Sequence, residues 1–163
     1  MITPHSVNDT TNLAISLSTM NDSQGGMNQI CYDDASPSLL NLLLLPAIKQ
    51  LGQQAKWMLW LTPENRLDRA WLEHSGISLI KSVQLPMLTH EQKIDSMTQA
   101  IKSGNYSVIT VWLDDELTPE QEYSLDYSAK ESETVVFVLR NNSTKKRLAR
   151  QVERYKIPTF AFL

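Results

Sequence analysis

The residues best suited to chemistry are the acids Asp114, Asp115 and Glu116, which close the apolar run Val108-Ile109-Thr110-Val111-Trp112-Leu113. An apolar strand ending in acids is how nucleotide-hydrolysing sheets hold Mg²⁺. That chemistry also needs a phosphate cradle, in which glycine N–H groups approach phosphate unhindered by a Cβ and a lysine follows. The segment in the corresponding place reads Asp33-Asp34-Ala35-Ser36-Pro37-Ser38. It has no glycine and no lysine, its proline lacks an N–H, and its two carboxylates repel phosphate. The acidic turn therefore stands without a cradle. This suits either a solvated turn or a sheet related to nucleotide-hydrolysing enzymes but without their catalytic loop.

Other reaction centres are thinner still. His5, His74 and His90 are scattered, and neither His-x₃-His nor Cys-x₂-Cys spacing occurs, so a metal site lacks support. The single cysteine, Cys31, excludes an internal disulfide and fits a buried small hydrophobe on the first strand better than a nucleophile. No Gly-x-Ser-x-Gly elbow is present. The basic run Lys145, Lys146, Arg147, Arg150 and Arg154 reads as a solvated face that balances nearby glutamates. The expectation is a binding or regulatory domain that is not an enzyme and carries no cofactor and no metal.

Composition narrows the partners. The chain has 163 residues, enough for one domain, and 42% are hydrophobic, enough for a core without disulfides. Its net charge of −3 argues against a nucleic-acid binder, which needs a basic excess to displace counterions. The strongest apolar run, Leu39 to Leu51, contains Asn41 and Pro46 and is shorter than the ~20 residues of a membrane span. Residues 1–28 show no basic start and no apolar core of a signal peptide. A soluble cytoplasmic protein is expected, with no membrane partner.

Elements follow from periodicity and punctuation. Met1 to Asn28 is polar and contains Gly25-Gly26, so it reads as a disordered segment ahead of a domain spanning 29–163. Strands are expected at Gln29–Tyr32, Trp57–Leu61, Ile77–Val83, Tyr106–Leu113 and Thr134–Leu139. Between them, Ser36-Pro37, Thr62-Pro63, Thr89 and Thr118-Pro119 read as helix starts, and Gly52, Gly76 and Gly104 as stops. Pro46 should kink the first helix. Strands alternating with helices give an α/β domain with a mostly parallel sheet flanked by helices. Beyond Arg140 the pattern fits a helix or an antiparallel strand, then a flexible tail that ends apolar.

Three strings make the chain recognisable. Leu42-Leu43-Leu44-Leu45-Pro46-Ala47, Gln50-Leu51-Gly52-Gln53-Gln54 and Trp57-Met58-Leu59-Trp60-Leu61-Thr62-Pro63 resemble the signature of the SulA family, division inhibitors of the bacterial DNA-damage (SOS) response. Gly104-Asn105-Tyr106-Ser107-Val108 with Trp112-Leu113 is a second matching block. The resemblance implies a RecA-like core without a P-loop. It implies as partners FtsZ, whose polymerisation and septum formation are blocked, and the ATP-dependent protease Lon, which removes the inhibitor. A weak homodimer is a further partner state.

The resemblance also assigns residues. The basic residue before the Trp-x-Leu-Trp-Leu strand is Lys56, the leucine ending that strand is Leu61, the tryptophan of the next helix is Trp71, and the lysine of the next strand is Lys81. The family's FtsZ-contact segment falls on Ile101, Lys102, Ser103, Gly104, Asn105, Tyr106 and Ser107. Leu61 also fits a core position, Trp71 fits core or contact, and Gly104 and Asn105 fit a simple helix cap. Lys56 and Lys81 have no core role and suit direct contact. The protease signal falls on Lys156, Ile157, Pro158, Thr159, Phe160, Ala161, Phe162 and Leu163, an apolar tail that departs from the polar or aromatic-His ending common in the family. Two other readings compete: a degenerate RecA-like nucleotide binder using Asp114, Asp115 or Glu116, and a scaffold in an SOS complex with RecA or DNA.

Overall fold

The computed structural model of the chain describes residues 25–32, 37–62 and 67–141, with side chains described from Leu44 onward in the first helix. Five strands, β1 (Gly26–Tyr32), β2 (Trp57–Thr62), β3 (Ser82–Pro86), β4 (Tyr106–Trp112) and β5 (Val135–Asn141), alternate with helices α1 (Pro37–Leu51), α2 (Arg69–His74), α3 (His90–Ser103) and α4 (Pro119–Glu131). The strands form one sheet in the order β1-β5-β4-β2-β3, and every neighbouring pair is parallel. All five therefore start at one edge of the sheet and end at the other.

Alternation along the strands divides the core in two. Leu59, Leu61, Ile109, Val111, Val136 and Val138 face α3 and α4, where Met97, Ile101, Leu125 and Ala129 meet them. Met58, Trp60, Val108, Phe137 and Leu139 face the other way, against Ile48 and Leu51 of α1 and Leu72 of α2. The central strands are buried on both faces, as their unbroken apolar runs require. The α/β class and the flanked parallel sheet read from the sequence are thus present.

Two of the expected caps, Thr89 and Thr118, are present. Thr89 and Thr118 each close a capping box, with Gln92 and Gln121 returning the bond to the cap N–H. Gly104 ends α3 in the left-handed region at φ 68°. Helix α1 runs through Pro46, whose ring removes one amide from the ladder, and ends before Gly52.

Four expectations are corrected. Cys31, expected to be buried, is exposed on β1. Strand β1 begins at Gly26, not Gln29, so Gly26, Met27 and Asn28 belong to the sheet, paired with Val135, Val136 and Phe137. Gly25 packs under backbone there, because a Cβ on it would collide with the Ala129 carbonyl and lie 2.6 Å from the Thr134 nitrogen. The helix expected from Thr62 starts at Arg69 with Asp68 as its cap, and Thr62 is instead the fully buried last residue of β2. The third strand is not Ile77–Val83 but Ser82–Pro86. Ile77 is a buried anchor of the loop, Ile80 is 86% exposed, and Lys81 sits in the turn before the strand. The remainder of residues 1–28, the loop 33–36, Pro63 and the basic and apolar stretches after Asn141 lie outside the described residues.

Candidate interaction surface

Because the sheet is parallel, the residues that precede each strand share one edge. Lys56 precedes β2, Lys81 precedes β3, Lys102 to Asn105 precede β4, and Ser132 to Thr134 precede β5. Backbone bonds join these loops. The Trp57 N–H donates to the Asn105 carbonyl at 2.9 Å, and the Met58 N–H donates to the Lys81 carbonyl at 2.8 Å. Thr134 Oγ1 donates to the Tyr106 carbonyl at 2.9 Å. Lysine heads lie over the same junctions. Lys56 Nζ donates to the Ser132 carbonyl at 3.3 Å, and Lys81 Nζ donates to the Gln54 carbonyl at 3.0 Å.

The sequence-assigned residues separate into those that present side chains at this amino edge and those that hold it up. Lys102, Ser103 and Asn105 are exposed, and Lys56, Lys81 and Gly104 half-buried. Ser103 Oγ donates to the Ala100 carbonyl at 2.7 Å and accepts from the Asn105 N–H at 3.2 Å, fixing the turn. Ile101 and Leu61 are fully buried core residues, and Ser107, also buried, reaches the Trp57 carbonyl at 3.4 Å. Tyr106 packs half-buried against the α3–α4 core. Trp71 packs against the opposite core with Leu67 and Leu79. It lies on α2 and is partly buried against that core.

Nothing in the apolar run Trp57–Leu61 sets Trp57 apart, yet it is 46% exposed and lies directly beside Lys56. Its neighbours Met58 to Thr62 are all buried, so the apolar run masked the one ring that projects at the edge. Ile80, beside Lys81, adds a second exposed apolar side chain.

The opposite, carboxyl edge carries the acids. Asp114, Asp115 and Glu116 are exposed, and Glu116 Oε1 lies 3.6 Å from Arg140 Nη1 at the end of β5. Buried Lys93 donates from Nζ to the Trp112 carbonyl at 2.6 Å. Burial pushes the Lys93 ammonium below the ordinary lysine value, and the charge of Asp114 partly restores it. Among the described residues no three His, Cys, Asp or Glu side chains are grouped to hold a metal, and no helix is long and apolar enough to cross a membrane.

Known proteins are similar to this chain in sequence and in fold. The family model described as cell division inhibitor SulA matches residues 25–136. The chain belongs to the SulA family of cell division inhibitors. A SulA from Escherichia coli O7:K1 is 38% identical over 143 residues, covering 88% of this chain and 85% of that protein. A SulA from Shigella flexneri serotype 5b is 39% identical over 141 residues, covering 86% and 83%. The crystal structure of SulA from Pseudomonas aeruginosa superposes with a TM-score of 0.59 at 18% identity, covering 71% of this chain and 97% of that one, so the SulA fold is shared.

Proposed function

We propose that this chain blocks septation in the SOS response by binding FtsZ through the amino edge of its sheet, which sequesters subunits and stops polymerisation. The observation that carries the reading is the gathering of Lys56, Trp57, Lys81, Lys102 and Asn105 at that edge, on loops, a strand start and a helix end that backbone bonds tie together. An exposed aromatic ring with cations at its rim suits a protein interface, where the ring supplies energy and the charges set encounter rate and register. Lon turns the inhibitor over, in the cytoplasm, through the apolar tail at Lys156 to Leu163.

The test is sedimentation of FtsZ with GTP at increasing amounts of this protein. Sequestration requires inhibition to scale with the molar ratio of the two. Loss of polymer at about a hundredth of an equivalent would instead demand turnover, and would overturn the reading. The competing nucleotide reading requires saturable ATP binding that Asp114→Ala or Asp115→Ala removes. Calorimetry is expected to find no heat of binding.

A further inference from the structure

Helix α4 carries a face that nothing in the described chain covers. Its inner side buries Leu125 and Ala129, while Tyr123 and Tyr127 stand outward, 74% and 57% exposed, with ring centroids 6.3 Å apart and planes at 19°. The surroundings are acidic. Residues 114–131 contain seven carboxylates and one lysine. That lysine, Lys130, is already paired with Asp126 at 2.8 Å. Glu120 and Glu131 flank the tyrosine pair and are exposed.

The complement lies in the same chain. Between residues 145 and 156 stand Lys145, Lys146, Arg147, Arg150, Arg154 and Lys156 against a single acid, Glu153. Leu148, Val152 and Tyr155 recur there at i, i+4 and i+7, the spacing that gathers apolar side chains on one helix face. The route is short. Strand β5 ends at Asn141 on the carboxyl edge, where α4 also begins, and Arg140 reaches Glu116 just ahead of that helix. Helix α4 then runs back for 13 residues, about 20 Å. The 13 residues after Asn141 cover that length by Arg154 even at the ~1.5 Å rise of a helix, enough for Lys145 and Lys146 to meet Glu120 and Arg154 to meet Glu131.

We propose that the basic segment 145–155 docks on the outer face of α4, with Leu148, Val152 and Tyr155 against the Tyr123–Tyr127 pair and its cations on the flanking glutamates. Arginine over a tyrosine face adds a cation–π contribution. Docking places the end of the chain, and with it the proposed protease signal, under the control of α4. The docking itself does not depend on the division-inhibitor reading.

Limited trypsin digestion of the full chain tests it, because every docking cation is a cleavage site. At low salt the segment is expected to be cut about tenfold more slowly than in a free peptide of residues 142–163, since cleavage follows the undocked population. Protection relative to that peptide should fall in ~0.5 M NaCl, where surface charges are screened. It should also fall in the Tyr123→Ser/Tyr127→Ser and Glu120→Lys/Glu131→Lys variants, whose positions are exposed and whose thermal melts should match the parent. Carbodiimide cross-links in the unaltered protein should join Lys145 or Lys146 to Glu120 within a monomer. Cleavage of the native segment as fast as the peptide would overturn the proposal. So would protection that survives both double variants, or protection and cross-links that grow with protein concentration, which would place the segment on a second copy.

Discussion

The main-chain N–H of Trp57 donates to the carbonyl of Asn105 across 2.9 Å, so the first residue of β2 and the turn before β4 form one piece of surface. The exposed ring therefore stands on a fixed base. Trp57→Ala should leave the melting curve within a degree or two of the parent. It should weaken FtsZ binding by about 2 kcal/mol, as removal of a central aromatic does. Circular dichroism melts beside a binding titration check both halves, and full binding by a normally folded variant would remove Trp57 from the interface.

Lys81 should matter less and differently. Its Nζ already has the Gln54 carbonyl at 3.0 Å, in a half-exposed setting. Lys81→Ala should cost under about 1 kcal/mol of affinity, mostly in association rate, and should flatten the dependence of that rate on salt. Stopped-flow association at several ionic strengths measures it.

Trp71 is expected to act through stability. Like Leu67 and Leu79, it packs partly buried against the core that holds Leu72. Trp71→Ala should destabilise the domain by roughly 2–3 kcal/mol, below the range of a fully buried tryptophan because the residue is only partly buried. Urea midpoints give the loss, and binding per folded molecule, measured alongside, shows whether the ring also touches the partner.

Buried Lys93 gives an alkaline signature. Desolvation holds its folded pKa below the ordinary 10.5, with Asp114 opposing. Between the lowered value and 10.5 the unfolded chain binds more protons than the folded one, so this group makes stability rise with pH across that window. In Lys93→Met the rise attributable to this group should vanish. Urea midpoints of the two proteins from pH ~8 upward make the comparison. A parallel slope in both would show that the ammonium is not desolvated.

Of the five glycines, Gly25 leaves the least room for a Cβ. A methyl group there meets the Ala129 carbonyl and both the nitrogen and oxygen of Thr134, none of which can rotate away. Gly25→Ala should cost about 2–4 kcal/mol and loosen β1 first. Hydrogen exchange would show lost protection at the Gly26 amide, which bonds to the Thr134 carbonyl at 2.9 Å.

Much of this architecture is legible in the sequence because its signals are local. Capping boxes at Thr89 and Thr118 and unbroken apolar strands at β2, β4 and β5 specify elements with little help from distant contacts. The failures are those that only tertiary context decides. Gly25-Gly26 reads as disorder until Thr134 and Ala129 are brought beside it. Ile77 to Val83 reads as a strand, but Ile77 anchors a loop, Ile80 faces solvent, and the edge strand β3 carries only Val83 and Leu85 of that type. The same limit applied to the surface. The lysines could be picked out as lacking a core role, whereas the exposure of Trp57 and the burial of Ile101 and Ser107 depend on which loops meet at the edge.

The strand order also sets when the molecule can come into being. Gly26 pairs with Val135, and the Met27 amide finds its acceptor on Asp126, 99 residues later. The first strand to leave the ribosome must therefore wait for almost the last. Until β5 has been synthesised and released from the exit tunnel, β1 has no neighbour in the sheet, and the flank of β4 that β5 will cover stays open. Closing so long a loop is slow. During each round of synthesis the nascent chain passes through a stage with two unpaired strand edges, the state most open to chaperones and proteases. Supply of active inhibitor is thus governed by completion of the chain, and a product truncated before Val135 adds no partly working version.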